Sequence, residues 1–169
     1  MQPFALLAFL GIIASQHSLD ANRKDKFGGT PLMTAASKGD LARVKSLLTE
    51  GANVNATDDE GWSALMHAST YSSGDCLKTL ISAGAKVNAI NHDGGSALQY
   101  AAMNRSYCVR ALVKAGAKVD AKDQDGYSPL MFAVTTGHSD CVKELIADHA
   151  DVNAKDRAGR TVLMLAVSN

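Results

Sequence analysis

Gly28-Gly29-Thr30-Pro31-Leu32-Met33 is a phrase that this chain repeats. It returns as Gly61-Trp62-Ser63-Ala64-Leu65-Met66 and as Gly94-Gly95-Ser96-Ala97-Leu98-Gln99. It returns again as Gly126-Tyr127-Ser128-Pro129-Leu130-Met131 and Gly159-Arg160-Thr161-Val162-Leu163-Met164. The marker glycines Gly28, Gly61, Gly94, Gly126 and Gly159 keep one spacing, except that the step from Gly94 to Gly126 is one shorter. A fixed period of this kind belongs to stacked supersecondary units rather than to one globular core. The apolar core is then shared between neighbours along the stack.

Each unit opens on an Asx residue with a glycine three positions later: Asp25/Gly28, Asp58/Gly61, Asn91/Gly94, Asp123/Gly126 and Asp156/Gly159. Asx side chains close turns, and glycine takes a positive φ without strain. The Ser or Thr that follows is placed to N-cap a short helix. Pro31 and Pro129 suit its first position, where a missing N–H does no harm. A second helix carries apolar residues at i, i+3, i+4 spacing: Val44/Leu47/Leu48, Leu77/Leu80/Ile81, Val109/Leu112/Val113 and Val142/Leu145/Ile146. One buried stripe per helix is expected. Gly51, Gly84 and Gly116 are placed to end these helices, with His149 in the fourth unit. Val54, Val87, Val119 and Val152 are then expected to begin extended arms leading to the next turn.

The pattern Asp-x-x-Gly-x-Thr-Pro-Leu-x-x-Ala, a helical pair and then Gly-Ala resembles the ankyrin repeat family over residues 25–169. The resemblance implies an all-α solenoid of helix-turn-helix units joined by β-hairpin-like tips. Residues 1–24 form a leader, followed by units at 25–57, 58–90, 91–122, 123–155 and a truncated 156–169. Three departures stand out. The family's usual His after Pro-Leu is Met33, Met66, Gln99, Met131 or Met164, so its hydrogen bonds to the turn are expected to be absent. The third unit is one residue short around Asn104-Arg105-Ser106-Tyr107. The fifth has one helix, whose Val162, Leu163, Leu165 and Val167 are expected to be uncovered and frayed.

Phe4 to Ala14 is continuously apolar and too short to span a bilayer. Its length suits a signal peptide, yet no Lys or Arg precedes it. The other reading is an N-terminal capping segment, because Asp20-Ala21-Asn22-Arg23-Lys24-Asp25 aligns with Asp151-Val152-Asn153-Ala154-Lys155-Asp156. A cleaved leader would mean a secreted or periplasmic protein, and a retained one a cytoplasmic protein.

No chemistry is legible. Lys plus Arg equals Asp plus Glu at 17 each, which leaves no electrostatic footprint for nucleic acid. Cys76, Cys108 and Cys141 stand a full repeat apart, at one equivalent position in three second helices. That spacing suits neither zinc nor a disulfide between adjacent packed helices. His138-Ser139-Asp140-Cys141 is read as a helix start, not a triad. The chain is therefore expected to be no enzyme, to need no cofactor or metal, and to be a monomer.

By the resemblance, another protein binds the turn tips and the exposed side of the first helices on the concave face. The matching positions are Phe27, Asp59, Glu60, Trp62, Tyr71, His92, Met103, Gln124, Tyr127, Arg157 and Arg160. Phe27, Trp62, Tyr71 and Tyr127 are the expected anchors, since aromatics dominate interface hot spots. The alternative for Trp62 and Phe27 is packing over neighbouring turns. A second functional class stays open: an exported effector, or a periplasmic protective or inhibitory subunit of an enzyme.

Overall fold

A computed structural model describes residues 20–71 and 74–168. The apolar leader between Phe4 and Ala14 lies outside the described residues. Nine helices lie within them. They are α1 (Pro31–Lys38), α2 (Leu41–Thr49), α3 (Ala64–Tyr71), α4 (Gly74–Ser82), α5 (Ala97–Ala102), α6 (Ser106–Lys114), α7 (Pro129–Thr135), α8 (Ser139–Ala147) and α9 (Val162–Val167). Odd-numbered helices pack on odd and even on even, so each unit touches its neighbours in one register. Antiparallel bridges Thr57 with Ser63, Ile90 with Ser96 and Lys155 with Thr161 close the hairpin-like tips.

The expected caps form. Thr30, Ser63, Ser96, Ser128 and Thr161 each accept the N–H three residues on, at 3.3–3.5 Å. His149 adopts φ 64, the one non-glycine residue with positive φ among the described residues.

The second helices bury a face rotated from the expected stripe. Val44, Leu47, Leu77, Leu80, Val109, Leu112 and Leu145 are fully buried. The i+4 residues Leu48, Ile81 and Val113 are only partly covered, and Ile146 is exposed. Cys76, Cys108 and Cys141 are buried instead, as free thiols. In the three later second helices the buried face thus extends one residue earlier, whereas in α2 the equivalent Arg43 is exposed.

The arms also begin later than expected. Val54 lies in a turn closed by the Ala56 N–H on Asn53 O at 3.1 Å. The same turn recurs at Ala89 on Lys86, Ala121 on Lys118 and Ala154 on Asp151. It positions the residue after each valine to staple two units together. Asn55 Nδ2 donates to Gly84 O at 3.1 Å while its Oδ1 accepts the Lys86 N–H at 2.8 Å. Asn22 and Asn88 do the same to Gly51/Asn53 and Gly116/Lys118. Asp120 keeps only the accepting half, from Asp151 N–H at 2.8 Å.

Two departures read from the sequence need correction. Hydrogen bonds to the turn are not lost at Met33, whose Sδ accepts the Thr30 N–H at 3.4 Å, nor at Gln99. Its Oε1 accepts from Ser96 N and Oγ at 2.7 and 2.8 Å, and its Nε2 donates to Tyr127 O at 2.8 Å. In the last unit, Val162 and Leu165 are not uncovered but buried, because they face back onto α7. Leu163, Met164, Ala166 and Val167 are exposed on the other side of α9, and α9 is a formed helix.

Candidate functional site

The tips are braced by hydrogen bonds within and between them. In each, one Asx oxygen accepts two backbone N–H groups. Asp58 Oδ1 takes those of Glu60 and Trp62 at 3.1 and 2.8 Å, and Asp123 Oδ1 those of Asp125 and Tyr127 at 3.0 and 2.8 Å. Each tip then donates one hydrogen bond to the tip before it. Asp59 N reaches Phe27 O at 3.1 Å, His92 N reaches Glu60 O at 3.0 Å, and Arg157 N reaches Asp125 O at 2.9 Å. Gly28 and Gly126 make this close approach feasible. Each has positive φ, and a Cβ there would lie 2.8 Å from the next tip's backbone nitrogen, on Asp59 or Arg157.

Trp62 is packed into this face by its neighbours. It is half-buried, with its indole stacked on Tyr100 at 4.2 Å between centroids and 5.3 Å from the His67 ring. Tyr127 is likewise half-buried, 5.6 Å from Phe132, and its hydroxyl accepts from Arg160 Nη2 at 2.7 Å. His67, Tyr100 and Phe132 were missed in the sequence reading. The signal was available: each lies four residues after the capping Ser, one per unit, on the first-helix side facing the tips. Packing of the alternative kind therefore holds for Trp62 and not for Phe27, which is 66% exposed.

The other expected contact residues divide by exposure. Tyr71 is 61% exposed, one helical turn beyond His67 on the same face of α3. Asp59, Glu60, His92, Gln124, Arg157 and Arg160 are exposed along the tip row, and Met103 is half-buried at the end of α5. Gln124 spends its amide on His92 O, so it braces two tips.

The face is acidic in its middle. Burial raises the Tyr100 hydroxyl above its ordinary pKa; the Asn91 hydrogen bond opposes this, and Asp93, Asp123 and Glu60 add to it. Towards the last tip, burial works to raise the Asp156 carboxyl, yet hydrogen bonds from the Arg160 backbone and guanidinium hold it below its usual value. A cleft of about 380 Å³ opens there between Tyr127, Phe132, Asp156, Arg157 and Arg160.

Nothing at the His138–Cys141 segment forms a nucleophile cluster. Cys141 points inward, its thiol 3.9 Å from Ala101 O, and burial raises its pKa. Among the described residues no group of His, Cys, Asp or Glu could hold a metal ion. No helix among them is long and apolar enough to cross a membrane.

The chain matches the family model for ankyrin repeats (three copies) over residues 5–91 and 98–169. It belongs to the ankyrin-repeat family. The match begins inside the apolar leader. A comparison with curated proteins finds no match. Ankyrin repeats are generally protein–protein interaction modules and are typically non-catalytic.

Proposed function

We propose that this chain is a non-catalytic binding module that holds a partner protein along its concave surface of tips and first helices. The observation that carries the reading is the pairing of exposed aromatics with a prearranged frame. Phe27 and Tyr71 project from backbone already fixed by the tip hydrogen bonds and by α3. A fixed frame loses little entropy on binding, so contact energy is retained as affinity.

The test is affinity capture from the protein's native cells with the wild-type chain and with Phe27→Ala/Tyr71→Ala. Both side chains are exposed, so the double variant should keep its helical content. A partner retained by wild type should bind the variant about tenfold or more weakly, in line with aromatic hot spots. Equal binding would place the interface elsewhere on the molecule. Trp62 and Tyr127 are poor choices for this test, because removing either ring also loosens the stack.

A further inference from the structure

One position on the tip face is filled differently in each unit. The residue after the marker glycine is Gly29, Trp62, Gly95, Tyr127 and Arg160 in turn. Trp62 and Tyr127 fill it with their own rings. Gly95 is covered by the Tyr100 hydroxyl, which folds over it from α5 and accepts from Asn91 Nδ2 at 2.8 Å. In the first unit Thr34 stands where Tyr100 does, and nothing covers Gly29 in this way. The result is a cleft of about 180 Å³ between Asp25, Phe27, Gly29, Thr34, Asp58 and His67.

The last unit shows what this position accepts. Arg160 N donates to Asp156 Oδ1 at 2.8 Å, as Gly29 N donates to Asp25 Oδ1 at 2.9 Å. The Arg160 side chain then turns back on the same carboxylate. Its Nε donates to Asp156 Oδ2 at 2.7 Å, and its guanidinium lies 5.6 Å from the Tyr127 ring centroid. Asp25 offers the equivalent oxygen without the side chain. Among the described residues Asp25 Oδ2 makes no hydrogen bond, and it lies 2.9 Å from where a Gly29 Cβ would stand. Asp58 adds a second carboxylate, 3.5 Å from His67 Nε2. No Lys or Arg lines this cleft; Arg23, Lys24 and Lys26 line a separate, larger cleft that shares Asp25, Gly29 and Thr34 with it, and Lys24 Nζ is spent on Thr57 O at 2.8 Å. Lys26 sits on the Phe27 ring at 4.7 Å, so that ring already serves a cation.

We propose that the cleft over Gly29 seats an arginine side chain of the partner protein. The guanidinium pairs with Asp25 Oδ2 and lies against the Phe27 and His67 rings, as Arg160 pairs with Asp156 and lies against Tyr127. A planar fork that both stacks and hydrogen-bonds a carboxylate is an arginine property that lysine lacks. The proposal rests on the binding-module reading above and adds the chemistry of one contact.

Titration of the isotope-labelled full chain with N-acetyl-arginine amide, followed by the amide resonances of Phe27 and Gly29, tests it. These two N–H groups bond Asp25 and report on its carboxylate. Saturable shifts are expected, at least about threefold tighter than with N-acetyl-lysine amide. They should vanish in Asp25→Asn, a change that keeps the turn, since Asn91 makes the same two bonds in the third unit. They should also vanish in Gly29→Trp, which copies the second unit. Absent shifts, equal response to lysine, or shifts that survive Asp25→Asn would overturn the arginine site. Such failure leaves the Phe27/Tyr71 capture result untouched, and a failed capture leaves this titration standing.

Discussion

His149 shows how one residue departs from its own repeat. The other helix caps at this position are Gly51, Gly84 and Gly116, with φ of 85, 88 and 86. His149 takes φ 64 with a Cβ attached. The left-handed region costs a side-chain-bearing residue roughly 1–2 kcal/mol, and glycine gives back about half of that in unfolded-state entropy. The imidazole is exposed, so little packing would be lost with it. His149→Gly should therefore stabilise the chain by about 0.5–1 kcal/mol, read as a higher denaturation midpoint at unchanged slope. A lower midpoint would show that the imidazole makes contacts that outweigh the backbone cost.

Between elements, the fourth unit is joined to the third by a staple that has lost half its bonds. Asn22, Asn55 and Asn88 each donate to a cap carbonyl and accept a backbone N–H. Asp120 can only accept. Asp120→Asn restores a donor to the His149 carbonyl and should add about 0.5–1.5 kcal/mol. An unchanged melting temperature would mean that water already serves that carbonyl. The staple also marks where sequence reading stopped. Turns, caps and helix order were legible because glycine, Ser/Thr and proline act through local backbone geometry. Asn55 and Asn88 directly follow arm valines, but their job reaches from one unit to the next and depends on the turn that aims them. The packing of Trp62 was left open for the same reason. Its motif position says solvent, while its burial depends on Tyr100 in the next unit, and on the bare Gly95 that lets Tyr100 fold over. The Gly29 cleft was legible only as a glycine, since its meaning comes from the rings that fill its counterparts.

At the scale of the whole molecule, the stack is a row of joints rather than one core, because each unit packs only on its neighbours. The joint between the third and fourth units holds the buried Gln99, whose amide reaches from α5 to the Tyr127 carbonyl. The other four units carry Met33, Met66, Met131 and Met164 at this position, so the site's shape tolerates methionine. Gln99→Met should fold normally and lose about 1–3 kcal/mol with the hydrogen bonds that Gln99 makes to Ser96 and Tyr127. In a row of joints that loss is local. It lets the fourth and fifth units open together without disturbing the first two. Amide exchange should then quicken at Leu145 in α8 by about tenfold for each 1.4 kcal/mol lost, while Leu47 in α2 keeps its wild-type rate. A single cooperative core would transmit the loss everywhere. Equal acceleration at Leu145 and Leu47 would mean that the units do not open separately.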